Sequence, residues 1–455
     1  MNTKYKLTIF LFCFVQLCIN AQTYTGLLSD NYKGVFSVLR NPASSQESPI
    51  KLDINFFGIG ANIGNDYYGI SLFEALGGAY NFNDEATITA TSSNNAYAQI
   101  DILGPSVLFS LNDKSKLALF TRGRSFTGVF GISGTDLKTL IDGFDQTQNF
   151  SISEQNLSLK QNIWAELGIS YSRILYKGKK HIVTGGASIK YLQGLGSAYA
   201  YSDDFSIDYS TTNEEITSTG ALEYGYSDNL ENDFEDFEVL GDAWGVGLDL
   251  GVEYEWHPKT KKDNFYPFPG AKKDEDFNYL LKVGLSITDF GTVKYQNTSK
   301  IYNLNQTVTK SDFENIENAE DLEAIYGISD TSNASDAALP TMFHLTVDWN
   351  ITKNIYLNLN TDYSVVASQK ANTTSIANTI ALTPRIEQKW LGVQLPISYH
   401  EYTGMNYGLG LRAGPLYVGS NSIIGALFND ELKGVDIYLG IKIPVFKNQN
   451  NTTSE

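Results

Sequence analysis

From about residue 50 onward the chain alternates apolar and polar side chains with a period of two. That is the spacing at which successive residues of a β-strand face opposite sides of a sheet. Ile163, Ala165, Leu167, Ile169 and Tyr171 share one face, and Glu166, Gly168, Ser170 and Ser172 share the other. After the basic turn Tyr176–Lys180 the pattern resumes, with Ala187, Ile189 and Tyr191 set against Ser188 and Lys190. Similar runs recur at Leu248–Trp256, Leu281–Ile287, Phe343–Trp349, Ile355–Leu359, Val393–Tyr399, Tyr407–Leu411 and Val435–Ile443. No strand is apolar on both faces.

Counted along the chain, the pattern predicts strands near 50–63, 97–111, 116–128, 158–175, 181–198, 241–256 and 277–290. The second half adds 341–350, 354–365, 377–389, 391–402, 405–413, 415–428 and 434–446. That is about fourteen, an even number, as bacterial transmembrane barrels have. A soluble sandwich alternates too, so the connections decide. They alternate short (112–115, 176–180, 350–354, 388–389) and long (64–95, 129–157, 196–240, 291–339), which predicts tight periplasmic turns and extended external loops. Several outward runs end in Tyr or Trp (Tyr171, Tyr191, Tyr254, Trp256, Trp349, Tyr399), as an interfacial aromatic belt requires. The fold class expected is therefore all-β, a transmembrane antiparallel β-barrel of about fourteen strands.

Composition sharpens this. Of 455 residues, 42% are hydrophobic and 18% charged, with 39 Gly, 28 Tyr and 25 Phe. Such a mixture favours strands and turns over long helices and is too apolar for disorder. The net charge of −18 disfavours a nucleic-acid partner, which needs clustered Lys and Arg. Residues 1–21 have the layout of a secretory signal: Lys4 and Lys6, then the apolar Leu7–Ile19, then Asn20-Ala21 before Gln22. Both cysteines, Cys13 and Cys18, lie inside it, so cleavage would leave a mature chain without disulfide or thiolate chemistry.

Gly34-Val35-Phe36-Ser37 followed by Asn41-Pro42-Ala43 resembles the N-terminal segment of the long-chain fatty-acid transporter (FadL-like) superfamily of outer-membrane barrels. Trp164-Ala165-Glu166-Leu167-Gly168, Gly185–Tyr191, Gly284–Gly291 and Gly414–Gly419 look like a Bacteroidota branch similar to the PorV-type barrels of the type nine secretion system. The resemblance implies a hatch over residues 22–49, with Asn41, Pro42 and Ala43 as its marker, that enters the barrel of residues 50–446 from the periplasm. It also implies two functional readings. One is a non-enzymatic accessory or scaffold subunit of an outer-membrane secretion or assembly machine. The alternative is a channel for uptake of hydrophobic small molecules such as fatty acids.

On the alternation, the polar face carries Arg122, Arg124, Glu166, Lys190, Asp249, Glu253, Lys282, Asp348, Asp362, Arg385, Glu387 and Arg412. In a closed barrel these face the lumen, where opposite charges pair into a filling network or line a passage. The four histidines are scattered without metal spacing, so no metal or cofactor is expected. Ser398 and His400 share an inward face, but such a pair is unavoidable in a barrel, and no catalysis is expected. The acidic segment 202–240 reads as a solvated external loop. Loop 291–340 holds Ile316, Leu322 and Ile325 at helical spacing, a short helix set to lid the barrel. The basic turn 257–276 faces the periplasm on this orientation. Expected partners are outer-membrane lipid, protein partners at the loops or that turn, and a hydrophobic ligand; the tail 447–455 is polar.

Overall fold

The computed structural model describes residues 24–46, 49–78, 80–142, 147–227, 242–258, 279–315, 319–368 and 373–446. The expected leader 1–21, the tail 447–455 and the basic turn 257–276 beyond Pro258 lie outside the described residues.

Fourteen strands form one sheet. They are β1 (Ile50–Asn65), β2 (Asn94–Leu103 continued by Ser106–Asn112), β3 (Ser115–Ile132), β4 (Phe150–Lys177), β5 (His181–Ser210), β6 (Glu215–Ser227 continued by Trp244–Trp256) and β7 (Leu281–Asn303). The rest are β8 (Ile328–Ala338 continued by Met342–Thr352), β9 (Ile355–Ser364), β10 (Thr379–Glu387), β11 (Leu391–Gln394 continued by Ile397–His400), β12 (Gly404–Tyr407 continued by Leu409–Ala413), β13 (Leu416–Ser420) and β14 (Gly434–Phe446). Each pairs antiparallel with the next, and β14 returns to β1 from Ile50↔Phe446 to Phe57↔Ile441. The sheet is therefore closed. Closure leaves no edge, the condition for a sheet to sit in hydrocarbon, where an unpaired amide finds no water.

The predicted alternation sets the two faces. Ile169, Ile189, Leu248, Leu285 and Leu382 are exposed outside, while their polar neighbours Ser170, Lys190, Asp249, Ser286 and Thr383 are buried inside. An apolar exterior around a polar interior inverts a soluble protein and marks a membrane-spanning barrel. Trp244 and Trp256, both on the outward face, bound this apolar stretch on β6, as interfacial aromatics do.

Several expectations are corrected. Over their described residues the segments read as loops 202–240 and 291–340 are largely strand: β5 continues to Ser210, β6 begins at Glu215, β7 runs to Asn303, and β8 begins at Ile328, while 228–240 and 316–318, with Ile316, lie outside the described residues. Spanning a bilayer takes about 9–11 residues per strand, whereas β4 and β5 have 28 and 30. More than half of each therefore stands beyond the membrane, and β4 to β8 build a tall wall on one side of the mouth. The expected helix is present in two pieces, Lys310–Glu314 and Ala319–Tyr326. Tyr326 packs with Tyr302 and Leu304 on this wall and is hydrogen-bonded to Ser218. The strand expected over 415–428 stops at Ser420, and a short helix, Ile423–Ala426, follows.

Leu250 lies midway between Trp244 and Trp256 and is 63% exposed. Leu250→Arg should cost about 2–4 kcal/mol of folding free energy in vesicles, as an arginine at the bilayer midplane does. Urea titration followed by heat-modifiable gel mobility measures this, with the exposed loop substitution Asn429→Arg as the neutral control.

Candidate functional site: the filled lumen

The N-terminal segment Tyr24–Gln46 lies inside the barrel at the short-turn end. It consists of a helical turn (Thr25–Ser29) and two 3₁₀ turns (Gly34–Leu39, Pro42–Ser45). Asn41 accepts the Ala43 amide at 2.9 Å and so caps the second 3₁₀ turn, while Pro42 supplies a preset φ at its first position. Asn41 Nδ2 also donates to the Val252 carbonyl of β6 at 3.2 Å. Beneath this triplet the wall carries Gly186, Gly251 and Gly284 on three successive strands. A Cβ at Gly186 would lie 2.4 Å from the Ala43 nitrogen, and one at Gly251 would lie 2.0 Å from Asn41 Oδ1. The triplet thus sits in a seat that only absent side chains provide.

Ion pairs and hydrogen bonds tie the rest of the segment to the wall. Asp30 accepts Arg412 Nε at 2.9 Å and Gln394 Nε2 at 2.8 Å. Asn31 meets Glu387 and Tyr279, Arg40 donates to Asp362 at 3.0 Å, and Ser44 donates to Glu253 at 2.6 Å. Asp53 of β1 accepts the Val35 amide at 2.8 Å and pairs with Lys442 of β14.

Above this layer the buried charges group by proximity across strands. Arg122 donates to Asp101 at 2.8 Å. Arg124 reaches Asp289 at 2.7 Å and Glu166 at 3.4 Å, and Lys190 bridges Asp249, at 2.7 Å, to Asp289. A second group sits nearer the short turns, where Arg385 grips Asp348 through two bonds of 2.6 and 2.8 Å and reaches Glu387 at 3.1 Å. Lys282 lies 3.0 Å from Glu255 and 4.0 Å from Glu253. Such pairing offsets the large cost of taking charges out of water.

At the other end, residues 373–378 fold inward between β9 and β10. Asn162 donates to Thr374 at 3.1 Å, and Lys160 donates to the Ser368 carbonyl. Between the two ends lie a cavity of about 90 Å³, lined by Tyr24, Leu28, Leu39, Arg40, Met342 and Ile376, and one of about 30 Å³ against Trp164 and Phe126. These volumes hold a few waters at most. His400 stacks on Tyr97, with Nε2 3.0 Å from its hydroxyl, while Nδ1 accepts the Tyr402 amide at 3.3 Å. Its ring is engaged there and not with Ser398.

Residues 42–421 match the family of unknown function DUF5723. The chain belongs to that family. No curated protein matches its sequence. Solved structures similar to this DUF5723 barrel include the toluene transporter TodX of Pseudomonas putida, at 10% identity over 93% of this chain and 97% of that one, with a TM-score of 0.42. A FadL homologue of Pseudomonas aeruginosa is similar at 10% identity over 88% of this chain and 91% of that one, also with a TM-score of 0.42.

Of the twelve lumen-facing charges named from the sequence of this DUF5723 chain, eleven are buried and Asp362 is half-buried. Arg122, Arg124, Glu166, Lys190 and Asp249 come together in the upper group. Glu253, Lys282, Asp348 and Arg385 form the lower one, and Arg412 meets Asp30. Sequence reasoning missed Asp30, Asp53, Asp101, Asp289 and Lys442. Asp289 carried a signal. The outward series Leu281, Val283, Leu285, Ile287 skips to Phe290, and the structure has a bulge there, with Asp289 at φ 59°.

Two predictions follow from these contacts. Gly251→Ala should unseat the Asn41 triplet at a cost of about 1–3 kcal/mol, as overpacking does, and expose Tyr24–Gln46 to limited proteolysis. The other concerns Glu154, which stands on β4 among the exposed polar residues Ser151, Ser153 and Gln155, beyond the apolar belt. It accepts the Ser133 amide at 2.7 Å. Burial and the adjacent Asp136 carboxylate push its pKa from 4.5 to about 7. The folded state then binds the extra proton, so stability is greatest below the unfolded pKa and falls as pH rises through about 7. Thermal unfolding followed across that range should show the wild type losing roughly 1–3 kcal/mol while Glu154→Gln stays flat.

Proposed function

We propose that this chain is an outer-membrane conduit for small hydrophobic molecules, described here closed, with Tyr24–Gln46 acting as a hatch on the periplasmic side. The observation that carries this reading is where the hatch places its apolar face. Tyr24, Leu27, Val35, Phe36 and Val38 pack on Leu103, Leu108, Phe120, Tyr417 and Tyr438 of the wall. Leu103 immediately precedes the interruption of β2 at Gly104-Pro105.

Side chains replace part of the ladder at that break. Pro105 has no amide hydrogen. Asn55 Nδ2 donates to the carbonyls of Leu103 and Gly104 at 3.1 and 2.9 Å, and Thr121 Oγ1 donates to that of Pro105 at 3.1 Å. A wall held there by rotatable side chains yields more readily than a continuous ladder. An apolar molecule occupying the hatch cluster would stand directly behind it. Among the described residues the lumen offers no comparable apolar route, since the buried ion pairs occupy it.

The accessory-subunit reading draws on a different observation. The lumen is filled, and the wall of β4 to β8 extends far beyond the membrane, offering surface to a protein of a secretion machine. Gentle purification from native membranes separates the two. The conduit predicts small hydrophobic molecules in a solvent extract of the purified barrel, and Phe36→Trp, which overfills the hatch cluster, lowers their amount. Recovery within a large protein complex, with no such molecule bound, would overturn it.

A further inference from the structure

The outward face of the barrel is not uniform, and one sector of it is hollowed. On β6 to β9, near the short turns, Trp256, Leu281, Val347, Trp349, Leu357 and Leu359 line a hollow of about 480 Å³ that also touches Leu382 of β10. Leu281, Val347, Leu357 and Leu359 are half-buried, although they occupy the same outward positions as Leu167 and Leu250 elsewhere. The register explains the shape of the recess. Trp256 pairs with Leu281, Leu281 with Trp349, Trp349 with Leu357, and Val347 with Leu359. Two tryptophans and four aliphatic side chains therefore form one patch across four strands.

We infer that this hollow is a binding site for one acyl chain of an anionic phospholipid from the leaflet on the short-turn side. The lining is hydrocarbon and indole, which suits a saturated chain and, with two indole N–H groups as its only side-chain donors, cannot satisfy a polypeptide backbone. Depth agrees. Trp349 stands four residues before Lys353 of the Lys353-Asn354 turn and Leu357 two residues after Ile355, so the site begins at the interfacial aromatic level and runs inward along one leaflet. Charge agrees at the rim, because Lys353 is exposed in the turn that joins the two floor strands β8 and β9. A lysine at that level attracts an anionic head group. Burying methylenes against this surface rather than leaving them to mobile neighbours holds the lipid through purification, which ordinary boundary lipid does not survive.

The test uses the full barrel, reconstituted in vesicles of phosphatidylglycerol and phosphatidylcholine and then extracted into mild detergent for native mass spectrometry. Wild type should retain one phosphatidylglycerol per barrel in preference to phosphatidylcholine. Leu357→Trp with Leu359→Trp, which fills the hollow, should lose most of it, whereas Leu250→Trp outside the hollow should keep it. Heat-modifiable mobility confirms that each variant is folded. A second readout guards against a variant that fails to fold: in wild-type vesicles, brominated phosphatidylglycerol should quench the fluorescence contributed by Trp349, found by difference from Trp349→Phe, more than brominated phosphatidylcholine does. Equal retention by the filled variant, or equal quenching by both lipids, would overturn the site. The conduit proposal stands apart, since its ligand is read from Phe36→Trp at the hatch and not from phospholipid.

Discussion

A backbone amide surrounded by hydrocarbon must find its partner within the protein, and the rest of this architecture descends from that requirement. It forces the sheet to close, with β14 laid against β1. Closure fixes one face of every strand toward lipid and the other toward the lumen, and the lumen face then collects the charges. Once there, those charges cannot stay isolated. The upper group around Arg124, Lys190 and Asp289 and the lower one around Arg385 and Asp348 are the outcome. The interior is filled by groups that need one another.

The same requirement explains how much was legible beforehand. Alternation is imposed by the membrane, so the strands that cross it are visible in sequence, from Ile163–Ile174 to Val435–Ile443. It fades where the membrane ends. Residues 199–210 mix Tyr, Ser, Asp and Phe on both faces, since water lies outside the wall at that height, and they read as a loop although they continue β5. Parity says which residues turn inward but not which strand stands opposite. Arg122 and Glu166 were recognised as lumen residues, while Arg124 meeting Asp289, 165 positions away, follows only from the wrapped sheet. Interruptions were likewise hidden. Pro105, Pro340 and Pro396 each mark a strand that stops and resumes, but a single proline in an alternating run gives no hint that the ladder continues beyond it.

The interior segment shows a division of labour between two kinds of contact. Its polar groups reach ion pairs on β9 to β12, while the Asn41 triplet presses against bare backbone at Gly186, Gly251 and Gly284. Absent side chains thus determine position as firmly as present ones do. The apolar cluster around Phe36 lies on the remaining side, against Leu103, Phe120 and Tyr417, where edge-to-face ring contacts hold it.

Asp53 joins three parts of the chain: it belongs to the first strand, accepts the Val35 amide of the interior segment, and pairs with Lys442 of the last strand. Lys442 in turn donates to the Tyr32 carbonyl. The zip between first and last strands is consequently stitched from within by the very stretch it encloses. Rolling up the cylinder and stowing its contents therefore draw on the same two side chains: without that stretch Asp53 and Lys442 would keep each other but lose the Val35 amide and the Tyr32 carbonyl that complete their bonding.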